Sequence, residues 1–176
     1  MSKKLIIYLS GGMGNQLFQY FFGMSYSKIL KRKLHIDHIT GFYTDFTFKR
    51  NFEIPLSSFE KTKSYKFSFL LFRTIRKLFN IECFKILNNL FITENKLKKD
   101  LKILENNSHI EKIFIIGDFQ DEEYFKNQKF EIKATLNLDK TKNTKINNIL
   151  NNLDFENSVA IGARFYEEMS EKEHNL

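Results

Sequence analysis

The chain contains few of the residues on which several specialised protein classes depend. Its 176 residues include one cysteine (Cys83), one proline (Pro55) and no tryptophan. A single cysteine excludes an intramolecular disulfide and is typical of a reducing compartment. The four histidines are scattered, so no cysteine or histidine cluster has the spacing of a zinc site. We therefore expect neither a disulfide scaffold nor a bound metal.

Long apolar runs are also missing from the sequence. No stretch approaches the roughly 18 apolar residues that a membrane-spanning helix needs. The apolar run near the N-terminus, residues 5–9, is too short for the core of a signal peptide. The sequence therefore predicts no membrane span and a cytoplasmic location.

The charge balance is basic, with 28 Lys and Arg against 21 Asp and Glu and a net charge of +7. Such an excess suits nucleic acid, an anionic membrane surface or a phosphate-bearing substrate. The lysines, however, are spread through Asn- and Ile-rich sequence, which is typical of a solvated surface. No RNP-like, zinc-finger or basic-zipper pattern is present, and we expect no nucleic-acid partner.

The most informative segment lies at the start of the chain. The apolar run 5–9 predicts a strand, and the helical spacing of apolar residues over 16–31 predicts a helix. A second short strand follows at 34–37, which completes a β-α-β unit of a parallel sheet. Ligands of open α/β sheets bind at the carboxyl ends of such strands.

A glycine-rich loop joins the first strand to the helix. The spacing of its glycines fits neither G-x-G-x-x-G nor a Walker A loop. Glycine there provides a positive φ or allows close approach of the backbone to a ligand, and we expect Gly12 and Gly14 to require one or the other. A helix N-terminus beside the loop favours anionic or oxygen-rich ligands. The candidate cleft residues are Gly11, Gly12, Gly14, Asn15 and Gln16.

The rest of the chain gives weaker signals. Residues 41–59 are irregular, and the phenylalanine-rich residues 65–92 predict one or two amphipathic helices packed on the domain. The alternative for 65–92 is a weak contact with an anionic membrane surface. Residues 112–116 predict a strand, followed over 117–125 by a glycine turn and the start of a helix. A surface helix within 137–157 and a strand at 158–162 complete the pattern.

Three segments resemble one family. The string GGMGNQLFQYFFG, from Gly11 to Gly23, closely resembles the N-terminal signature of the bacterial α-1,2-fucosyltransferases, glycosyltransferase family 11. The segment GDFQDEEYF is similar to a second recurrent segment of that family, and Gln120 belongs to the match. Asp118 stands where the family commonly has an aromatic residue.

The third segment, VAIGARFYEE, is similar to the family motif of a strand followed by His-x-Arg-Arg-Gly-Asp-Tyr. Aligned on the strand, Arg164 matches the first arginine and Glu167 stands at the aspartate. Gly162 and Phe165 replace the histidine and the second arginine, so two polar groups of the motif are lost.

The resemblance implies a fold, a reaction and roles for these residues. It implies an α/β domain with a Rossmann-like, mainly parallel sheet, the N-terminal half of a GT-B architecture. Residues 1–157 would form the acceptor-side domain, and 158–176 would begin a donor-binding half whose remainder is absent. The implied reaction is the inverting, metal-independent transfer of L-fucose from GDP-fucose to the 2-hydroxyl of a terminal galactose. Arg164 would bind the donor phosphate, and Glu167 is the candidate base.

The implied partners are GDP-fucose and a galactose-terminated acceptor such as a surface polysaccharide, with no further cofactor. The isolated chain is expected to be inactive. Two other functions stay open at this point. The chain could be a non-catalytic nucleotide- or sugar-binding module. It could also be a basic binder of nucleic acid or of the inner face of the membrane.

Overall fold

The computed structural model describes residues 3–54, residues 65–128 and position 151. The chain divides into two compact units, Met1–Asn137 and Leu138–Leu176, and every element named here belongs to the first. The elements are, in chain order, β1 (Lys4–Tyr8), α1 (Met13–Ile29), β2 (Lys33–Asp37), α2 (Thr40–Tyr43), α3 (Lys66–Phe79), β3 (Cys83–Ile86), β4 (Asn89–Thr93), α4 (Glu94–Lys99), α5 (Lys102–Asn106) and β5 (Lys112–Ile116). The predicted helix within 137–157, the strand at 158–162 and the domain boundary at 157 lie outside the described residues.

The strands form one five-stranded sheet in the order β2-β1-β5-β4-β3. Every neighbouring pair is parallel except β3 and β4, which pair as an antiparallel hairpin. The predicted α/β class with a mainly parallel, Rossmann-like sheet is therefore confirmed. The parallel order brings the carboxyl ends of β1, β2, β4 and β5 to the same edge of the sheet.

The two faces of the sheet are both covered, and each has its own core. Leu5 and Ile7 of β1 point to the face that packs against α1, with Phe22 as a fully buried contact. Ile6 and Tyr8 point to the opposite face, where α3 covers them. This alternation follows from the two-residue side-chain period of a strand. Burial on both faces explains why β1 is apolar throughout its length.

The phenylalanine-rich segment differs from its prediction in its second half. Residues 66–79 form the expected amphipathic helix α3, whose Phe69 and Phe72 are fully buried on the sheet. The remainder is the β3–β4 hairpin, so the prediction of helix over 83–92 is wrong. There Phe84 and Phe91 stack across the two strands, with ring centroids 4.9 Å apart. None of the helices in the described part of the chain is long and apolar enough to cross a membrane.

Two other helix predictions also differ from the structure. Helix α1 begins at Met13 rather than at Gln16, so Gly14 and Asn15 lie in its first turn. The helix predicted to start after Gly117 is absent from the described residues. Two short 3-10 turns, Glu122–Tyr124 and Lys126–Gln128, stand in its place.

Arg32, just beyond α1, joins that helix to the segment before β5. Its guanidinium is buried and donates hydrogen bonds to the backbone carbonyls of residues 107, 108, 110 and 111 at 2.9–3.3 Å. Burial lowers the pKa of Arg32 from its ordinary value. The carbonyl dipoles replace the water that the charge loses, as a buried cation requires.

Candidate functional site at the carboxyl edge of the sheet

The loop after β1 leads directly into the N-terminus of α1. Gly11 has a φ of +77°, the left-handed region that favours glycine, whereas Gly12 is extended at φ −75° and ψ 173°. Gly12 is the N-cap residue, and neither a capping side chain nor an acidic residue occupies the first turn of α1. The amide N–H groups of that turn therefore face the carboxyl edge of the sheet without an internal anion.

The expected positive φ at Gly12 or Gly14 is wrong, because only Gly11 has one in this loop. A Cβ atom added at Gly12 or Gly14 would meet no atom within 4 Å. These two glycines leave open space above the start of α1, and the close approach of a ligand there stays a prediction.

Gln16 holds the loop in place. The side chain is fully buried, and its amide nitrogen donates to the carbonyl oxygens of Gly11 and Asn51, both at 2.9 Å. Its oxygen accepts the backbone N–H of Glu53 at 3.0 Å. Gln16 thus shapes the cleft by joining the glycine loop to residues 51–53, and its hydrogen-bonding groups are engaged within the protein.

Gln19, one turn further along α1, fixes the other side of the loop. It is also fully buried, and its oxygen accepts the backbone N–H of Ser10 at 2.9 Å. Its nitrogen lies 3.3 Å from the Ser10 hydroxyl. The three-residue spacing from Gln16 places both amides on one side of the helix. In the sequence, the signal for glutamines that fix the loop is a pair of amides three residues apart in an otherwise apolar helix.

Asn15 and Gln120 meet at the rim of the site. The Gln120 side-chain nitrogen donates to the Asn15 side-chain oxygen at 2.8 Å, across 105 positions of sequence. Beneath them Phe119 is buried and stacks on Phe22, with ring centroids 3.8 Å apart. The glycine loop and the segment after β5 are therefore adjacent in space, as two strand ends of a parallel sheet can be.

Tyr124, in the same segment, packs edge-on against Phe22. Burial, followed by the nearby charge of Glu94, raises the pKa of Tyr124 to about 12. Its hydroxyl is therefore a neutral phenol at neutral pH and does not serve there as a base.

A cavity of about 300 Å³ lies where β1, β4 and β5 end. Its lining includes the carboxylates of Glu94 and Asp118, and Arg76 of α3 reaches it from the other layer. The full lining is Ser10, Arg76, Thr93, Glu94, Asn95, Ile116, Gly117 and Asp118.

Glu94 serves a structural purpose in this cavity. It is buried, and one carboxylate oxygen accepts the backbone N–H groups of Asp118 and Phe119 at 2.8 and 2.9 Å. The other oxygen lies 3.0 Å from the Lys98 ammonium. Burial alone would raise the pKa of Glu94, but the Phe119, Lys98 and Asp118 hydrogen bonds outweigh it and lower the pKa. A carboxylate held ionised in this way is a poor proton acceptor at neutral pH.

A second cavity, of about 530 Å³, lies at the end of β2. It combines the aromatic rings of Phe42, Tyr43 and Phe52 with polar and charged groups, including His38, Asp45 and Arg50. Asn51 also lines this cavity. Its carbonyl oxygen accepts a hydrogen bond from the Gln16 side chain, which connects the cavity to the glycine loop. Apolar rings with a few polar groups are the usual composition of a small-molecule site.

The predicted donor-site residues Arg164 and Glu167 lie outside the described residues. Within residues 3–54 and 65–128, no group of three or more His, Cys, Asp or Glu side chains is arranged to hold a metal ion. Glu94 and Arg76 are groups at this edge of the sheet that the sequence analysis did not identify. Their position depends on contacts between distant segments.

Fold and site together define a Rossmann-like α/β domain with cavities at the carboxyl edge of a mainly parallel sheet. Comparisons of the chain with protein-family models, curated proteins and solved structures find no match.

The contrast between Gly11 and its neighbours gives a first prediction. Gly11→Ala should lower the free energy of unfolding by about 1–2 kcal/mol, because alanine is strained at a positive φ. The new Cβ would also lie 2.7 Å from the Asn15 side-chain nitrogen. Gly12→Ser should be neutral or stabilising, because serine is a good N-cap in extended backbone. Urea denaturation of both variants tests this, and equal stability would contradict the importance of the left-handed residue.

Proposed function

We propose that the chain is the acceptor-side domain of an inverting α-1,2-fucosyltransferase. The supporting observation is the meeting of two segments that carry the resemblance, joined by the Asn15–Gln120 hydrogen bond and the Phe22–Phe119 stack. These segments are about a hundred residues apart in sequence and become adjacent because they follow β1 and β5, which are parallel neighbours in the sheet. Their contact at the carboxyl edge supports one common site for both motifs.

The proposed reaction is a single displacement at the anomeric carbon of fucose. The 2-hydroxyl oxygen of a terminal galactose attacks C1, the bond from C1 to the diphosphate oxygen breaks, and GDP leaves with the electron pair. The hydroxyl proton passes to a base, for which Glu167 is the proposed group, and Arg164 is proposed to bind the departing phosphate. In this proposal no metal or further cofactor takes part.

The described residues would contribute the acceptor side of this reaction. The first-turn amides of α1 provide hydrogen-bond donors for sugar oxygens, and the open space at Gly12 and Gly14 allows that approach. The aromatic cavity at the end of β2 suits the apolar face of a sugar ring. The proposed acceptor is a galactose-terminated glycan such as a surface polysaccharide. The proposed location is the cytoplasm or the inner face of the membrane.

The test is a chimera in which this chain is joined to the donor-binding half of a bacterial α-1,2-fucosyltransferase. We expect GDP-fucose-dependent transfer to lactose, detected by mass spectrometry, and no transfer to 2′-deoxygalactosyl glucose. Arg164→Ala should lower the rate at least about tenfold, since a charged hydrogen bond to phosphate is worth roughly 1.5–3 kcal/mol.

A loop variant separates fold from function in that chimera. Gly12→Val should abolish most transfer because the side chain fills the space above α1, while the melting temperature falls by only a few degrees, since valine is a poorer N-cap than glycine. A folded chimera that transfers no fucose would contradict the proposal. Galactoside binding without transfer would favour the alternative, a non-catalytic sugar-binding module.

A further inference from the structure

A basic cavity on α3 has no role in the proposed acceptor site. It measures about 740 Å³ and is lined by Thr44, Phe46, Leu70, Arg73, Thr74, Arg76, Lys77 and Asn80. Three of these eight residues are cations and none is acidic. A volume of this size suits a small ligand such as a nucleotide.

We infer that this cavity binds the phosphate groups of a soluble, nucleotide-sized ligand through Arg73, Arg76 and Lys77. The inference goes beyond the proposed function, because it concerns a different surface and holds whether or not the chain transfers fucose. The shared chemistry is that of a diphosphate, which guanidinium groups bind through paired N–H donors.

The spacing of the three cations concentrates their charge on one side of the helix. Arg73 precedes Arg76 by three positions and Lys77 by four, and residues at these spacings are neighbours on a helix surface. Like charges so placed repel one another and weaken the helix. Within the described residues no ion pair neutralises any of the three. A bound phosphate would supply the missing counter-charge.

Arg73 is already oriented by the protein. Its guanidinium donates to the Thr44 hydroxyl at 2.7 Å and to the Tyr8 hydroxyl at 3.2 Å. Tyr8 is the last residue of β1, so the arginine is anchored at the carboxyl edge of the sheet. Both contacts use the same guanidinium nitrogen, which leaves the donors of the other nitrogens for a ligand.

Two further features define the size and direction of the ligand. Phe46 is 82% exposed at the cavity, an unusual position for an aromatic ring and one that provides a stacking surface for a base. Arg76 lines both this cavity and the smaller one at the ends of β4 and β5. A ligand that stacks its base on Phe46 and places its phosphates at Arg76 would therefore occupy the larger cavity and reach the border of the smaller one.

Calorimetry on the 176-residue chain at low ionic strength tests the inference with pyrophosphate and with ADP as probes. The double variant Arg76→Gln/Lys77→Gln should raise the Kd for pyrophosphate about tenfold or more. The matched control, Lys3→Gln/Lys102→Gln, removes the same charge from exposed lysines that line neither cavity and should change the Kd less than about twofold. Phe46→Ala should weaken ADP binding about fivefold and leave pyrophosphate binding unchanged.

Equal losses in the site variant and the control would overturn the inference, because the attraction would then be diffuse. Sedimentation with phosphatidylserine vesicles, without any binding of pyrophosphate or ADP, would also overturn it in favour of a lipid surface. NMR on the wild-type chain is independent of how the variants fold. Pyrophosphate should shift the amides of residues 44–46 and 70–80, and shifts confined to the start of α1 would refute this site.

Discussion

The Gly41→Ala variant is expected to lose about 3 kcal/mol or more of its free energy of unfolding. Gly41 lies in α2, directly against the end of β1. A Cβ atom there would overlap the carbonyl oxygen of Leu9 and lie 2.9 Å from its carbonyl carbon. The opposing group is backbone at the end of a central strand, so it cannot move aside as a flexible side chain could. Urea denaturation followed by circular dichroism measures the loss.

A second glycine on the surface provides the matched control. Gly14 lies in the first turn of α1, where an added Cβ would meet no atom within 4 Å. Gly14→Ala should therefore be neutral or stabilise the chain by up to about 1 kcal/mol, since alanine favours a helix over glycine. Similar midpoints for Gly41→Ala and Gly14→Ala would show that α2 does not pack on β1 as described.

The Glu94→Ala variant is expected to lose about 2–4 kcal/mol of stability. Its carboxylate accepts the backbone N–H groups of Asp118 and Phe119, and alanine would leave both donors without this acceptor. The loss should loosen the segment that carries Phe119 and Gln120. Hydrogen exchange of those two amides reports it directly. Glu105→Ala removes an exposed carboxylate from α5 and should change stability by less than about 0.5 kcal/mol.

The same carboxylate makes stability depend on pH. The pKa of Glu94 is lowered in the folded chain, so the unfolded state takes up its proton first as the pH falls. The stabilisation from Glu94 is therefore complete above the ordinary glutamate pKa of about 4.3 and disappears as the pH falls through the lower, folded value. In Glu94→Gln the dependence of stability on pH below about 4.3 should be shallower. An identical slope in the variant and the wild type would exclude Glu94 as its source.

The parallel core could be predicted because its signals are local. The apolar runs of β1 and β5 stand out from their polar flanks, and the spacing of apolar residues identifies α1. Strand β5 has the predicted bounds, Lys112–Ile116. The start of α1 differs from its prediction by three residues, because glycine at 14 favours a loop although its neighbours are helical.

The β3–β4 hairpin lacked any such signal. Its turn contains Leu87 at a φ of +53° with 94% of the side chain exposed, where Asn-Gly or Asp-Gly would have marked a hairpin. The spacing of phenylalanines there also fits a helix. Pairing with β5 decides the outcome, and such long-range pairing overrides local preference.

In the site, too, the residues that could be predicted are those whose position depends on local sequence. The glycine loop was visible because its residues are consecutive. The positions of Gln16 and Gln19 follow from a helix that buries two amides. Glu94 could not be identified, because the backbone N–H groups that donate to its carboxylate belong to Asp118 and Phe119, more than twenty positions away.

The place of β5 in the sheet has a consequence for how the chain is made. Of the described strands β5 is synthesised last, yet it lies in the middle, between β1 and β4. Until it emerges from the ribosome, the N-terminal β-α-β unit and the β3–β4 hairpin each present an unpaired strand edge. The Arg32 guanidinium also lacks these backbone carbonyl acceptors until residues 107–111 have been synthesised. The edges of β1 and β4 that face each other therefore stay open until β5 is made, and insertion of β5 closes both in one step.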